Sequence, residues 1–205
     1  MNKQKPRDVS GVNKRLVWNF EINNDKPLIL PESPTVSRTE HWEARFFWPE
    51  SESIILNGLD DSFLELSRYK IKHREDTYCL LPDMDYNFKI RCDQLQYKPI
   101  IMKLPLAIAY GKKITLEQAD TDMQRLFARA QREGHPIVVE KEALIYQFET
   151  LPKTKLELAR LCVANTTWFS VNIESASGLI VDSITRQILD EHVACDYVTF
   201  LKRLL

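Results

Sequence analysis

In several segments of this chain, charged residues occupy every second position and apolar residues occupy many of the positions between them. This two-residue period constrains the fold more than any other feature of the sequence. In the segment SRYKIKHRED (67–76), every second residue is a cation: Arg68, Lys70, Lys72 and Arg74. Side chains two positions apart share one face of an extended strand. Like charges on one face repel each other, so acidic side chains, water or a bound anion should lie near them.

Similar extended patterns recur along most of the chain. Strands are predicted over 39–48, 70–81, 85–91, 93–102, 137–149, 154–163 and 166–175. Helices are predicted over 60–67, 115–134, 177–189 and 196–205, the second with Thr115 and Gln118 as a capping box and Gly134 as its stop. Strands joined by short connections, with helices grouped apart, predict an α+β fold whose antiparallel sheet curls into a barrel.

The first 36 residues differ in composition from the rest. They are polar and carry four prolines, so they predict a partly flexible arm in which RLVWNFEI (15–22) forms a short strand that could add to a sheet edge. Residues 37–205 are predicted to form one domain. The whole chain has 205 residues and is 44% hydrophobic, which is enough to bury one large core.

Net charge and targeting signals exclude several classes of protein. The chain has 28 basic and 29 acidic residues, so it lacks the basic surplus of a general nucleic-acid binder. Tyr69, Tyr78 and Tyr97 beside basic strands would suit RNA stacking, but the net charge argues against this partner. The chain shows neither a signal-peptide core nor a membrane span, and its four cysteines lack zinc-site spacing. These features predict a cytoplasmic protein; they do not indicate its oligomeric state.

The predicted strands place charges on shared faces. His41, Glu43 and Arg45 lie on one face of their strand, while aromatic residues supply much of the other. Each charge taken singly is typical of a solvent-facing position. If the sheet closes, however, the same charges line a cavity, where cations and carboxylates must pair. Further candidates for this inner face are Lys89, Arg91, Lys98, Lys141, Asn172 and Glu174.

The order of these segments resembles a known family. REDTYCLLPDMDYNFKIRCDQLQYKP, VVEKEALIY, SVNIES and CDYVTFLKRLL together are similar to the CYTH superfamily, the triphosphate tunnel metalloenzymes, over about residues 37–203. The resemblance implies an eight-stranded antiparallel tunnel that binds a triphosphate, a polyphosphate or another phosphorylated small molecule. Members of this superfamily hydrolyse triphosphates, remove an RNA 5′ phosphate or cyclise ATP.

The resemblance also implies roles for single residues. Glu43 and Glu174 would be catalytic metal ligands for Mg²⁺ or Mn²⁺, with His41 beside them at the family's signature position. The implied phosphate contacts are Arg45, Lys89, Arg91, Lys98 and Lys141, with Lys72 and Arg74 as candidates at the mouth of the tunnel.

Four positions depart from the family pattern. Arg45 stands in place of a lysine, and Ala143 stands where the family usually has a further cation. His41 and Asn172 stand where the family has carboxylates, and neither brings the negative charge that favours Mg²⁺. Three functions therefore stay open. They are a metal-dependent triphosphatase or other phosphohydrolase, an anion-binding module of the same fold without turnover, and a protein-interaction domain whose inner charges pair with one another.

Overall fold

The computed structural model describes residues 13–32, 41–189 and 192–205. Its strands are β1 (Lys14–Val17), β2 (Phe20–Asn23), β3 (His41–Pro49), β4 (Ile54–Asn57), β5 (Lys70–Leu80), β6 (Phe88–Arg91), β7 (Gln94–Tyr97), β8 (Ile100–Lys103), β9 (Ile108–Tyr110), β10 (Ile114–Thr115), β11 (His135–Phe148), β12 (Thr154–Val163) and β13 (Thr166–Ser175). Its α-helices are α1 (Thr121–Glu133), α2 (Gly178–Leu189) and α3 (Tyr197–Lys202).

Ten of these strands form one curled sheet. Its order is β10-β7-β6-β5-β11-β12-β13-β3-β9-β8, and every pairing in it is antiparallel. The long strands β5, β11, β12 and β13 form its continuous wall. The predicted α+β fold with a curled antiparallel sheet is confirmed.

Two bent strands account for the difference between ten strand segments and the predicted eight. β7 and β8 are halves of one strand interrupted at Lys98 and Pro99, and β10 and β9 are halves of its antiparallel neighbour. At the bend, the Gly111 amide donates to the Pro99 carbonyl over 2.9 Å. β7 pairs with β6 and β10, whereas β9 pairs with β8 and β3. Counted as bent strands, eight strands follow one another around the sheet.

Gly111 leaves this bend closely packed. A Cβ atom at position 111 would lie 3.0 Å from Cγ of Pro99 and 3.3 Å from Cδ1 of Ile101. Contacts that short are tighter than ordinary van der Waals contact, so the side chains of Pro99 and Ile101 would have to shift by a few tenths of an ångström.

The three helices cover different surfaces of the sheet. α2 packs outside β3 and β13 on an apolar layer that includes Trp42 and Phe46, and α1 covers β5 to β7 through the fully buried Phe127. α3 instead joins the apolar side chains of β5, β11 and β12 that fill one end of the interior. The polar inner residues therefore line the remaining part of the interior.

The described part of the predicted N-terminal arm is folded. The predicted single strand over 15–22 is a hairpin, β1 and β2, which turns at Trp18 with a φ of 49°. β2 pairs in parallel with β4, and Phe20 and Ile22 are buried in the main core. Residues 1–12 and 33–40, which include the predicted boundary at 36, lie outside the described residues.

Three local predictions are corrected. The helix predicted from 115 begins at 121, because Thr115 lies in β10 and Asp120 provides the N-cap through a 2.8 Å bond from the Met123 amide. The helix predicted over 60–67 is two short 3-10 turns. The strand predicted over 93–102 is interrupted at Pro99, which has no amide hydrogen to donate.

Asp120→Ala should lower the free energy of unfolding by about 1 kcal/mol, because the Met123 amide loses its acceptor. Asp120→Asn is the matched control, since asparagine caps as well as aspartate. Urea unfolding of the three proteins measures the difference. Equal destabilisation by both variants would show that the cap is not the cause.

Candidate functional site

One cavity of about 260 Å³ opens inside the curled sheet, and side chains from all eight of its bent or straight strands line it. Its cations are Arg45, Arg74, Lys89, Arg91, Lys98, Lys113 and Lys141, and its carboxylates are Glu43, Asp76, Glu157 and Glu174. Four tyrosines, Tyr78, Tyr97, Tyr110 and Tyr197, complete much of the wall. Among the residues that the structure describes, seven lining cations against four carboxylates leave an excess of three positive charges, which favours an anionic ligand.

A cluster of three metal-ligand types lies on adjacent strands of this wall. Glu43 of β3 and Glu174 of β13 are directly opposite each other, and His41 is two residues before Glu43 on the same face. One ligand atom from each of the three residues lies within 4.8 Å of the others, and the His41 Nε2 atom is 3.4 Å from Oε2 of Glu174. Imidazole nitrogen and carboxylate oxygens could together hold a divalent cation.

Two lysines bond the two carboxylates of this cluster. Lys98 bonds Glu43, and Lys155 Nζ lies 2.7 Å from Oε1 of Glu174. Burial alone raises the pKa of Glu43, but Lys98 and Arg45 outweigh burial and bring that pKa below its ordinary value. Burial also raises the pKa of Glu174, but hydrogen bonds from His41 and Lys155 outweigh burial and bring that pKa well below its ordinary value. Both carboxylates are therefore ionised, as metal binding requires.

A second ionic group lies deeper in the cavity around Glu157. Its Oε1 atom accepts from Arg45 Nη1 at 3.1 Å and from Lys141 Nζ at 2.9 Å. Although burial raises the pKa of Glu157, Lys141 and Arg45 lower it to about 2. The Arg45 guanidinium also lies 4.8 Å from the ring centroid of Tyr197, which α3 places against it. This arrangement fixes Arg45 inside the wall.

Asn172 belongs to this second group. It is buried and lies opposite Arg45 in the pairing of β13 with β3. In the amide orientation that satisfies both of its polar atoms, its oxygen accepts from Arg45 Nη2 at 3.0 Å and its nitrogen donates to the Ala44 carbonyl at 3.2 Å. Its amide therefore positions the arginine.

A third ionic group is formed by Asp76 of β5 with Lys89 and Arg91 of β6. Arg91 donates to both carboxylate oxygens through two nitrogens, and Lys89 Nζ is 3.4 Å from Oδ2. Burial lowers the pKa of Lys89 to about 8 despite the attraction of Asp76. Burial raises the pKa of Asp76, but the bond from Arg91 and the charge of Lys89 bring it below its ordinary value.

Most of the residues predicted from the sequence meet in this cavity. His41, Glu43, Arg45, Arg74, Lys89, Arg91, Lys98, Lys141 and Glu174 all line it. Lys72 is not among the lining residues. It is half-buried and lies two residues before Arg74 in β5, on the same face of the strand as Arg74.

Several lining residues were not among the predicted site residues. Asp76 could have been found from the two-residue period, since it lies two residues after Arg74, a predicted site residue of the same strand. No residue of β12 was among the predicted site residues, so this period alone could not place Glu157. Tyr110 ends β9, and Lys113 lies in the bend between β9 and β10. Tyr197 comes from α3, whose position a strand period cannot predict. Their positions depend on the tertiary structure.

Comparisons with known proteins add little to this geometry. No protein-family profile and no curated protein matches the chain. Among solved structures, bh2851 of Bacillus halodurans, provisionally described as an adenylate cyclase, is 8% identical, with a TM-score of 0.39 over 80% of this chain and 89% of that one. The PH1819 protein of Pyrococcus horikoshii OT3 is 13% identical, with a TM-score of 0.39 over 80% of this chain and 99% of that one. In the described ranges, no helix is long and apolar enough to cross a membrane.

Proposed function

We propose that the cavity binds a linear triphosphate or another phosphorylated compound together with a divalent cation. The observation that carries this proposal is the convergence of seven cationic side chains on one cavity that holds only four carboxylates. Arginine and lysine are the side chains that proteins use to hold phosphate oxygens. The resemblance to the triphosphate tunnel metalloenzymes agrees with this choice of ligand.

The proposed phosphate contacts are the cations whose side chains are only partly buried. Arg91, Lys98 and Arg74 line the cavity and keep enough solvent exposure to exchange a carboxylate or water for a phosphate oxygen. Lys89 and Lys141 lie deeper in the cavity, where they form ion pairs with Asp76 and Glu157 respectively. Arg45 is buried and bonded on several sides, so its role in our proposal is to keep the inner wall positive.

The proposed metal ligands are His41, Glu43 and Glu174. One imidazole nitrogen and two carboxylates fit Mn²⁺ well, whereas Mg²⁺ prefers an all-oxygen shell. Such a cation would supply Lewis-acid polarisation of a phosphoryl oxygen. Lys98 and Lys155, which hold the two carboxylates, would then be available to the ligand.

Hydrolysis of the bound phosphate chain is a second candidate function. The nearness of the metal cluster to the phosphate-binding cations favours it. The four lining carboxylates are paired with cations and their pKa values are lowered, so they are weak general bases at neutral pH. Binding is therefore the function that the geometry supports best. A phosphate-release assay tests whether the bound phosphate chain is also hydrolysed.

Tripolyphosphate should raise the melting temperature of the protein, and Mn²⁺ should enlarge the shift. Binding stabilises the folded state by RT ln(1 + [L]/Kd), which is about 2.7 kcal/mol at a hundredfold excess over Kd. Arg91→Ala should weaken binding about tenfold or more, because a charge-assisted bond is worth about 1.5–3 kcal/mol. Thermal shift and calorimetry measure binding, and phosphate release measures hydrolysis.

Arg125→Ala is the matched control, because Arg125 lies exposed on α1, outside the cavity, and pairs with Asp122 one turn away. It should leave the tripolyphosphate shift unchanged. If no polyphosphate shifts the melting temperature with or without Mn²⁺, the proposed function is wrong. Binding without phosphate release would restrict the function to anion binding.

A further inference from the structure

A second cavity, of about 330 Å³, opens between the end of β3 and the C-terminal end of α3. We call it the α3 pocket and define it by six of its lining residues, Phe47, Trp48, Trp168, Phe200, Arg203 and Leu204. Among the residues that the structure describes, it shares no lining residue with the cation-lined cavity. The α3 pocket is therefore a separate candidate site, and the proposed function does not use it.

Within the described ranges, the end of β3 has a partner strand on only one of its two edges. β13 pairs with β3 along most of its length, whereas β9 pairs with the other edge only over 41–43. The Cys195 amide donates to the Arg45 carbonyl at 2.7 Å and covers that edge for one more position. In an antiparallel sheet, alternate residues direct their N–H and C=O groups to the same side of the strand. The Phe47 amide therefore faces the open edge and could donate to a ligand.

Aromatic rings form much of the wall of the α3 pocket. Phe47 and Phe200 stack with their ring centroids 3.9 Å apart, and Trp168 meets Phe200 edge-on at 5.1 Å. On another side of the pocket, the Trp48 ring lies 5.5 Å from the His192 ring. Such rings pack well against a flat apolar group. The volume is at the lower end of the range for small-molecule sites, so a compound of one or two rings would fit.

The polar groups on this wall include donors without acceptors. Arg203 is exposed and forms no ion pair with any residue that the structure describes. The Trp168 Nε1 atom is buried and has no hydrogen-bond partner in the described part of the chain. No described lining residue of the pocket is acidic. A buried donor without a partner indicates a missing acceptor, which a ligand could supply.

The carboxylate that follows the pocket residue Cys195 is already engaged. Asp196 is buried, accepts from the Thr199 amide at 2.9 Å and lies 3.2 Å from the Lys103 ammonium nitrogen. Burial raises the pKa of the Cys195 thiol, and the positive charge of Arg203 opposes that rise. The charge of Arg203 therefore acts on the pocket and is available to an anionic ligand.

We propose that the α3 pocket binds a small aromatic carboxylate, with its ring system among the aromatic side chains and its carboxylate at Arg203. A guanidinium can hold a carboxylate through two parallel hydrogen bonds, and Trp168 and Phe47 add neutral donors. An uncharged compound would leave the arginine without an opposite charge. A phosphate chain would offer no apolar surface to the rings. The ligand thus belongs to a different chemical class from the compound proposed for the cation-lined cavity.

An open strand edge can also accept a peptide strand, but this edge suits one poorly. Beyond Arg45, the residues that face the edge are Phe47 and Pro49, and Pro49 has no amide hydrogen. Strand addition gains its affinity from a row of main-chain hydrogen bonds, whereas a strand added here would find one amide donor. A small ligand needs no such row. The edge therefore favours a small molecule over a peptide strand.

Titration of the full chain with 2-naphthoate, followed by ¹H–¹⁵N NMR of the four tryptophan indole groups, tests this inference. Trp48 and Trp168 line the pocket, whereas Trp18 and Trp42 are not among its described lining residues. The first two indole signals should therefore shift, and the other two should stay in place. Substitution of each tryptophan by phenylalanine assigns its signal. If the Trp48 and Trp168 signals do not respond to 2-naphthoate, the inference is wrong.

Arg203→Gln should weaken 2-naphthoate binding about tenfold, because a hydrogen bond to a charged group is stronger than a neutral one. The same variant should leave the weaker binding of uncharged 2-naphthamide unchanged. Arg132→Gln is the matched control, since Arg132 lies exposed on α1 and pairs with Glu133. It should keep the full affinity for 2-naphthoate. Equal binding of the two naphthalene compounds by the intact protein, or no loss in Arg203→Gln, would overturn the inference.

A saturating concentration of tripolyphosphate separates the two cavities, because an anionic probe could also enter the cation-lined one. The affinity for 2-naphthoate should stay the same when tripolyphosphate is present. Displacement of 2-naphthoate by tripolyphosphate would place the probe in the cation-lined cavity and overturn the inference. If tripolyphosphate itself does not bind, the proposed function fails, and the indole signals and the Arg203 variant still decide the α3 pocket.

Discussion

Glu157→Ala should lower the free energy of unfolding by about 3–5 kcal/mol at neutral pH, which is the usual cost of removing one partner from a buried ion pair. Glu157 is 8% exposed and bonds Arg45, itself 9% exposed, and Lys141. Without it, two buried cations stand next to each other with no carboxylate between them. Urea unfolding at pH 7 measures the loss.

Glu142→Ala provides the matched comparison for this prediction. Glu142 pairs with Arg160 across β11 and β12, where the Arg160 side chain is 52% exposed. Pairs of this kind are worth about 0–1 kcal/mol, so the control should change stability little. Similar losses in both variants would mean that the inner group around Glu157 does not stabilise the fold.

The same carboxylate makes stability depend on pH in acid. The pKa of Glu157 is lowered to about 2, whereas a glutamate in an unfolded chain titrates near 4.3. The unfolded state therefore binds more protons than the folded state between these values, and stability falls as pH falls from about 4.3 towards 2. Glu43 and Asp76, whose pKa values are also lowered, act in the same direction. Glu157→Ala should show a shallower loss of stability over this window.

Mn²⁺ should raise the affinity for tripolyphosphate by about 5–150-fold, and tripolyphosphate should raise the affinity for Mn²⁺ by the same factor. Glu43 and Glu174 hold Lys98 and Lys155 in the absence of ligands. A divalent cation competes with both ammonium groups for these carboxylates, and each displaced ammonium gains freedom to bind a phosphate oxygen. Calorimetric titration of each ligand with and without the other measures the coupling.

Lys98→Met separates this coupling from simple charge attraction. It leaves Glu43 without its lysine, so Mn²⁺ alone should bind more tightly and the gain from tripolyphosphate should shrink. Lys14→Met is the control, because Lys14 pairs with Asp61 and both side chains are well exposed. If the Mn²⁺ affinity of the intact protein does not respond to tripolyphosphate, the exchange of partners does not occur.

The period of the sequence predicted the faces of β3, β5, β6, β11 and β13 that line the cavity. His41, Glu43 and Arg45 share an inner face because β-strands alternate strictly, and the same rule groups Lys89 with Arg91. The two bent strands, β7 with β8 and β10 with β9, could be only partly predicted, since Pro99 marks an interruption of the strand but not the direction of the bend. The N-cap was misassigned because Thr115 and Asp120 both precede an apolar helical period, and the strand pairing of Thr115 decides between them.

The partners of the inner charges could not be predicted from the sequence. Asp76 joins Lys89 and Arg91 across two strands, and Glu157 joins Arg45 across β12, β13 and β3. The first group depends on the register of the neighbouring strands β5 and β6, and the second depends on curvature that brings β12 and β3 together across β13. Among the residues that the structure describes, Lys70 and Lys72 form no ion pair, and Arg74 is the cation of that segment that lines the cavity.

The pairing of β3 with β13 has a consequence for the order in which the molecule forms. His41 and Glu174 are 133 positions apart in sequence, whereas β11, β12 and β13 are joined by short connections and can pair early. At 5–20 residues per second, a ribosome would need roughly 7–27 s to make the intervening chain. During this interval the apolar face of β3 lacks both β13 and α2, so a newly made chain exposes this face until Glu174 can join His41 and Glu43.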